Sequence, residues 1–210
     1  DDALKIIPRG ADISLFNPED ASQQAANRLI KEWGVPDDTP VIMLPARLTR
    51  WKGHEVLIKA LSLIKDIRFF CVLVGDHDTK RNYKSELENR IKFQGLTNRV
   101  KITGHCKDMV SAYKISDIVI SASLDPEPFG RITVEAQAMG CVVVAADHGG
   151  AQETIQHNRT GILVEPRNSE ALADGIKKAL EMKTEDRTSM GIAAREFVSS
   201  NFSRETMCYR

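Results

Sequence analysis

The sequence predicts an α/β fold, a Rossmann-like doubly wound parallel sheet with helices on both faces. Three observations carry this. Short apolar runs of strand length recur along the chain: V-I-M-L-P-A at 41–46, F-F-C-V-L-V at 69–74, D-I-V-I-S-A at 117–122 and C-V-V-V-A-A at 141–146. Such unbroken runs suit strands covered on both faces, as in a parallel sheet. Segments with helical spacing lie between them, and strands that alternate with helices give βαβ units. Glycines and charged residues gather just after the strands, where open α/β sheets bind ligands.

Composition narrows the classes. The 210 residues are 42% hydrophobic and 28% charged, ordinary values for a globular chain of one domain or two small ones. Twenty-nine Lys and Arg balance 29 Asp and Glu, so no net charge draws the chain to nucleic acid, and no nucleic-acid partner is expected. No apolar run reaches the ~20 residues of a membrane span. The opening D-D-A-L-K-I-I-P lacks a signal-peptide pattern. Cys71 and Cys141 lie inside strand-like runs, Cys106 and Cys208 elsewhere, and there is no C-x-x-C. The expectation is reduced thiols in a cytoplasmic protein, with neither a disulfide set nor a zinc site.

The elements follow in order. Residues 4–7 suit a short strand, stopped by Pro8 and a turn at Arg9-Gly10. Asn17-Pro18 forms a helix-start signal, cap then first-turn proline, for a helix to Trp33 that Gly34 ends. After the strand at 41–46 comes a basic loop, R-L-T-R-W-K at 47–52, and Gly53 opens a helix to about Lys65. The strand at 69–74 ends in the loop Gly75-Asp76-His77-Asp78. A helix at about 82–93, a strand at 100–103 followed by Gly104-His105, and a short helix at 108–115 come next. Beyond the strand at 141–146, Gly149-Gly150 opens a helix to about His157. A strand at 161–164, a helix capped by Asn168 to about Met182 and a last helix at 185–200 complete the chain. No G-x-G-x-x-G follows any strand, which argues against a nicotinamide or flavin.

The most informative stretch is S-L-D-P-E-P-F-G-R-I-T-V-E-A-Q-A-M-G, Ser123 to Gly140. Pro126 and Pro128 hold an extended loop, and Gly130 marks the turn into a helix that is apolar nearly all round. That helix nevertheless carries Glu135, and Glu127 lies just ahead of it. Free N–H groups around Arg131 to Thr133 form an anion site. An anion beside two hydroxyl-accepting carboxylates suits a sugar nucleotide.

Glu127 and Glu135, with seven residues between them, resemble the E-x7-E motif of retaining nucleotide-sugar glycosyltransferases of the GT-B fold, glycosyl transferases group 1. The following A-M-G, the strand C-V-V-V-A-A and G-G-A-Q-E-T-I strengthen the resemblance. A-R-L-T-R-W-K-G is similar to the family's G-R-L…K-G, with Ala46 in place of Gly. P-R-G-A-D-I-S-L-F-N-P resembles the family's interdomain segment, with Arg9 where Asn is usual, and N-F-S-R-E-T-M its closing segment.

The resemblance implies the donor-binding C-terminal half of such an enzyme: an interdomain segment at 1–18, a nucleotide-sugar-binding domain at 19–200 and a tail at 201–210 leading toward a missing N-terminal acceptor domain. Arg47 and Lys52 would hold the donor diphosphate, together with the N–H groups of Ile132 and Thr133 beyond Gly130. Glu135 would bond the ribose hydroxyls. Glu127 would face the donor sugar and carry catalysis, either by positioning a hydroxyl or by stabilising oxocarbenium character. Gly75 and His105 would line the donor site, His105 near the base. Gly149-Gly150 with Glu153 serves structure or donor contact. Fixed cations would stabilise the leaving diphosphate, so a metal-independent reaction with no cofactor is expected. Asp76-His77-Asp78 departs from the family and reads as a solvated loop, not a metal site. Arg50 reads as solvated. His54, His148 and His157 read as surface or supporting residues.

These implications make the chain a hexosyltransferase fragment, inactive without its acceptor domain, that retains configuration. The wording leans to bacterial lipopolysaccharide or capsule synthesis. The full enzyme is then cytoplasmic, with peripheral contact at the inner membrane open. Half of a nucleotide-sugar 2-epimerase and a non-catalytic nucleotide-binding module are the alternatives.

Overall fold

The computed structural model describes residues 10–76 and 81–209. The expected strand at 4–7, the turn at Arg9 and the His77-Asp78 part of the loop after the second core strand lie outside them. The described residues build a six-stranded parallel sheet: β1 (Val41–Pro45), β2 (Phe70–Val74), β3 (Val100–Gly104), β4 (Ile118–Ser121), β5 (Val142–Ala146) and β6 (Ile162–Val164). The helices are α1 (Gln23–Trp33), α2 (His54–Leu63), α3 (Arg81–Phe93), α4 (Met109–Lys114), α5 (Arg131–Ala138), α6 (Gly150–Thr154), α7 (Ser169–Glu181), α8 (Thr184–Phe202) and α9 (Arg204–Tyr209).

The strand order is β3-β2-β1-β4-β5-β6, the doubly wound arrangement in which the winding reverses between β1 and β4. Alternate residues of each strand serve opposite faces. Ile42 and Leu44 of β1, with Leu73, Ile120 and Val144, pack under Leu57 and Leu61 of α2, Leu87 of α3 and Ile176 of α7. Met43, Val72, Val119 and Val143 pack against Leu29 and Trp33 of α1, Tyr113 of α4, Val134 of α5 and Val198 of α8. The result is three layers with a core on each side of the sheet.

Most element ends fall within two residues of the sequence reading. Two do not. The helix expected from Asn17 begins at Gln23, because Ser22 is the residue whose hydroxyl accepts from the N–H of Ala25. Asn17 instead donates to Asp20 at 2.7 Å and accepts from Arg195 at 2.6 Å. α6 stops at Thr154 rather than His157, where Ile155 turns extended. The tail at 202–204 pairs with Ala11: Ala11 N–H donates to Phe202 O at 2.8 Å, and Arg204 N–H to Ala11 O at 3.0 Å. All four cysteines are free thiols, with Cys71 and Cys141 buried. Among the described residues no helix is long and apolar enough to cross a membrane.

Candidate functional site

Where the winding reverses, the loops after β1 and β4 separate to opposite sides and leave a crevice. The β1 loop is tied across that crevice. It makes a 3-10 turn at Arg50–Lys52 and leaves it through Gly53 at φ 74°, a left-handed conformation suited to glycine. A Cβ on Gly53 would lie 1.8 Å from the carbonyl oxygen of Ala122, so only glycine allows the loop to reach the end of β4. Leu124 N–H then donates to Trp51 O at 2.6 Å.

This seam brings Lys52 to Glu127. The ammonium lies 2.7 Å from Glu127 Oε1, with the two side chains only 12% and 18% exposed. The hydroxyl of Ser123 donates to the same carboxylate oxygen. Lys52 Nζ also stands 4.2 Å from the centroid of the Trp51 ring. A third segment supports the Glu127 loop from behind. Gly150 N–H donates to Glu127 O at 2.7 Å, and His148 Nε2 lies 2.9 Å from Ser123 O. Cβ atoms on Gly149 and Gly150 would come within 2.6 Å of Glu127 O and 2.4 Å of Phe129 C. The Gly149-Gly150 pair is therefore required by the protein's own loop packing.

The start of α5 forms the other wall. Gly130 caps it at φ 76°. Thr133 N–H donates to Gly130 O at 3.0 Å, its hydroxyl bonds the same carbonyl and Thr154, and the residue is fully buried. Of the two amides expected at an anion, Thr133 is thus already engaged. No hydrogen bond of the described residues uses the N–H groups of Arg131 and Ile132, and both residues line the cleft. One turn on, Glu135 Oε2 accepts from the Tyr113 hydroxyl at 3.0 Å. Burial pushes the Glu135 carboxyl above its ordinary value; the Tyr113 hydroxyl and the nearby Arg131 charge draw it partly back.

The cleft between these walls holds about 480 Å³. Arg47, Lys52, Gly75, His105, Ile132 and Glu135 line it, joined by Trp51, Cys106, Met109, Tyr113 and Arg131. Glu127 reaches it through Lys52, while Gly130 and Thr133 lie behind its wall. Arg47 is exposed and makes no ion pair among the described residues. Gly75 has a structural reason: a Cβ there would sit 2.0 Å from Ala46 O. His105 stands exposed at the rim, after Gly104 at φ 78°. Arg50 is exposed but not merely solvated. It pairs with Glu55 at 3.1 Å and Glu86 at 2.5 Å and lies 4.9 Å from the Tyr83 ring centroid. Among the described residues no group of three His, Cys, Asp or Glu is placed to hold a metal.

Two supporting residues escaped the motif reading: Tyr113, whose hydroxyl acts across elements, and Ser123, which bonds Glu127 within the same loop. His148, read as surface or supporting, supports that loop through Ser123 O. His54, read as surface or supporting, is fully buried at the start of α2, its ring edge-on to Tyr83 with centroids 6.1 Å apart.

A Rossmann-like domain with cations, carboxylates and free helix amides at its switch point is the class that fold and site define. The family model for glycosyl transferases group 1 matches residues 26–197, and the chain belongs to that family. It is 33% identical over 203 residues to a D-inositol 3-phosphate glycosyltransferase of Corynebacterium glutamicum, covering 90% of this chain and 46% of that protein. A glycosyltransferase structure from Rickettsia africae superposes with TM-score 0.96 at 39% identity, over 99% of this chain and 55% of that one. Anabaena HepE in complex with UDP and glucose gives TM-score 0.88 at 35% identity, over 97% and 54%. A C-terminal domain of a group 1 glycosyl transferase from Francisella tularensis, 26% identical with TM-score 0.77, is matched over its whole length. The fold is one half of the GT-B arrangement, and the chain spans about half the length of the curated relatives it matches.

Proposed function

We propose that this domain binds a nucleotide-diphosphate sugar and presents it for retaining transfer to an acceptor held by a partner domain. One observation carries the reading. Arg47, Lys52, Arg131 and the start of α5 at Ile132 meet Glu135 at a single cleft at the switch point, and Lys52 ties Glu127 to it. The diphosphate lies against Arg47, Lys52 and the Ile132 amide. An ammonium has three donors, so Lys52 can hold a phosphate oxygen while it keeps Glu127. These fixed cations stabilise charge on the departing diphosphate without a metal or other cofactor. Glu135 accepts the ribose hydroxyls, and Glu127 faces the sugar as the catalytic carboxylate. Gly75 and His105 line the site, with His105 near the base; Gly130 and Thr133 shape the helix start from behind. The HepE structures with UDP, UDP and glucose, and UDP-glucose support a donor of this class.

Retention of configuration is part of this proposal; it is supported by the resemblance of the Glu127–Glu135 spacing to the motif of retaining enzymes and by no distance in the cleft. The product is proposed to be a bacterial polysaccharide or lipopolysaccharide, made in the cytoplasm or at the inner membrane. These 210 residues bind donor but do not transfer sugar alone. Calorimetric titration with UDP, GDP and ADP, with and without Mg²⁺, tests the reading. One of the three is expected to bind selectively and without metal, with at least tenfold loss in folded Lys52→Ala and Glu135→Ala variants. Binding unchanged by both substitutions contradicts it.

A further inference from the structure

Tyr113 is 1% exposed, yet it carries a hydroxyl. The group has one proton to donate, and that proton goes to Glu135 Oε2 at 3.0 Å. Phe16 packs edge-on against the ring with centroids 5.8 Å apart, and the Tyr113 backbone is anchored separately, its carbonyl accepting the thiol of Cys141 at 3.3 Å. Enclosed in this way, the hydroxyl has Glu135 as its one hydrogen-bond partner among the described residues. Glu135 makes no second side-chain hydrogen bond among the described residues, and it lines the cleft. An ionised carboxylate has about four lone-pair sites, of which Tyr113 occupies one. Oε1 is left to accept from whatever enters.

We propose that Tyr113 is a positioning residue that locks the Glu135 carboxylate in the orientation that receives the vicinal hydroxyls of a nucleotide ribose. The inference rests on the donor-site reading above and adds a residue to it. Three physical consequences follow from the placement. The carboxylate enters binding already oriented, so less rotamer freedom is lost when the ligand arrives. The donated bond favours the ionised form against the burial that opposes it, and an ionised Glu135 accepts from both hydroxyls instead of one. Selectivity for ribose over its deoxygenated forms then depends on Tyr113, a residue buried behind the carboxylate.

The test uses UDP, GDP and ADP, each beside its 2′,3′-dideoxy counterpart, titrated into wild-type protein and Tyr113→Phe. Wild type is expected to prefer the ribose form of the nucleotide it binds. Tyr113→Phe keeps the ring and its packing and is expected to cut that ribose-to-dideoxy preference about five- to tenfold. The dideoxy affinity stays within about twofold. Carbon-13 NMR of the Glu135 carboxyl gives a second readout without ligand: its titration midpoint moves up in the variant. Should Tyr113→Phe fail to fold, 3-fluorotyrosine at position 113 keeps the shape with a more acidic hydroxyl, and the preference is expected to rise. Equal weakening of both nucleotide forms, or an unchanged preference, overturns the positioning role while leaving the donor site in place. No binding of any of the three diphosphates by wild type overturns both.

Discussion

His54 offers a prediction whose size follows from burial. The ring sits at the first residue of α2, fully buried, and neither ring nitrogen makes a hydrogen bond of normal geometry. Its pKa is pushed down from 6.5 to about 4 by burial; the backbone carbonyls of Thr49 and Ala46 oppose the shift, and the Lys52 charge adds the smallest downward contribution. A helix N-terminus also disfavours a cation there. In the folded protein the imidazole is therefore neutral at pH values where the unfolded chain is protonated. Between about pH 6.5 and pH 4 the unfolded state binds a proton that the folded state refuses, so stability falls as pH falls through that window. Lowering the pH from about 7 to about 4.5 withdraws about 2.5 kcal/mol by this one group. His54→Leu removes the titration and the orphaned ring nitrogens together. Urea unfolding of both proteins at the two pH values is the assay. Wild type is expected to lose about 2.5 kcal/mol more than the variant, while near pH 7 the variant is as stable as wild type or more so. Equal losses in the two proteins would refute the claim that a neutral His54 is enclosed under the β1 loop.

Three further outcomes are expected. Lys52→Ala leaves Glu127 with Ser123 as its remaining side-chain partner; it should lower stability by about 1 kcal/mol in urea unfolding and weaken nucleoside diphosphate binding far more. Gly53→Ala meets both a positive φ and the Ala122 carbonyl at 1.8 Å; it should cost more than about 2 kcal/mol, and a loss under about 0.5 would show that the seam between the loops is slack. In a thiol-reagent time course the exposed Cys208 should react at once, and the buried Cys71 and Cys141 only on unfolding. Burial raises the pKa of both buried thiols, Cys141 to about 12, and early modification of either would contradict the packing.

The fold was largely readable because parallel strands buried on both faces leave unbroken apolar runs, and β1, β2, β4 and β5 all do so. The start of α1 was not. Asn17-Pro18 and Ser22 are both sound caps locally; Ser22 is the one that caps α1, while the Asn17 side chain is shared among Glu19 N–H, Asp20 and Arg195, 178 residues away. Arg47, Lys52, Glu127 and Glu135 could be picked out by residue type and spacing. Their meeting could not, since it depends on β1 lying beside β4, a pairing that alternation of strands and helices leaves open. Spacing alone is equally silent on Tyr113, whose hydroxyl acts across elements from α4 to α5. Gly75 and Gly149-Gly150 read as possible ligand contacts, and their close approaches turn out to be to the protein's own backbone. His54 looked polar by type, and only the packing of Tyr83 against it shows the burial.

The central claim is that a nucleoside diphosphate occupies the cleft between the β1 loop and α5. Amide NMR mapping during titration with UDP, GDP and ADP tests it most directly. The amides of 47–53, 104–106 and 131–135 are expected to move with one of the three, with little change at the opposite end of the sheet around Val41 and Asp117. Binding that shifts the Val41 and Asp117 end while leaving the 131–135 amides still would contradict it.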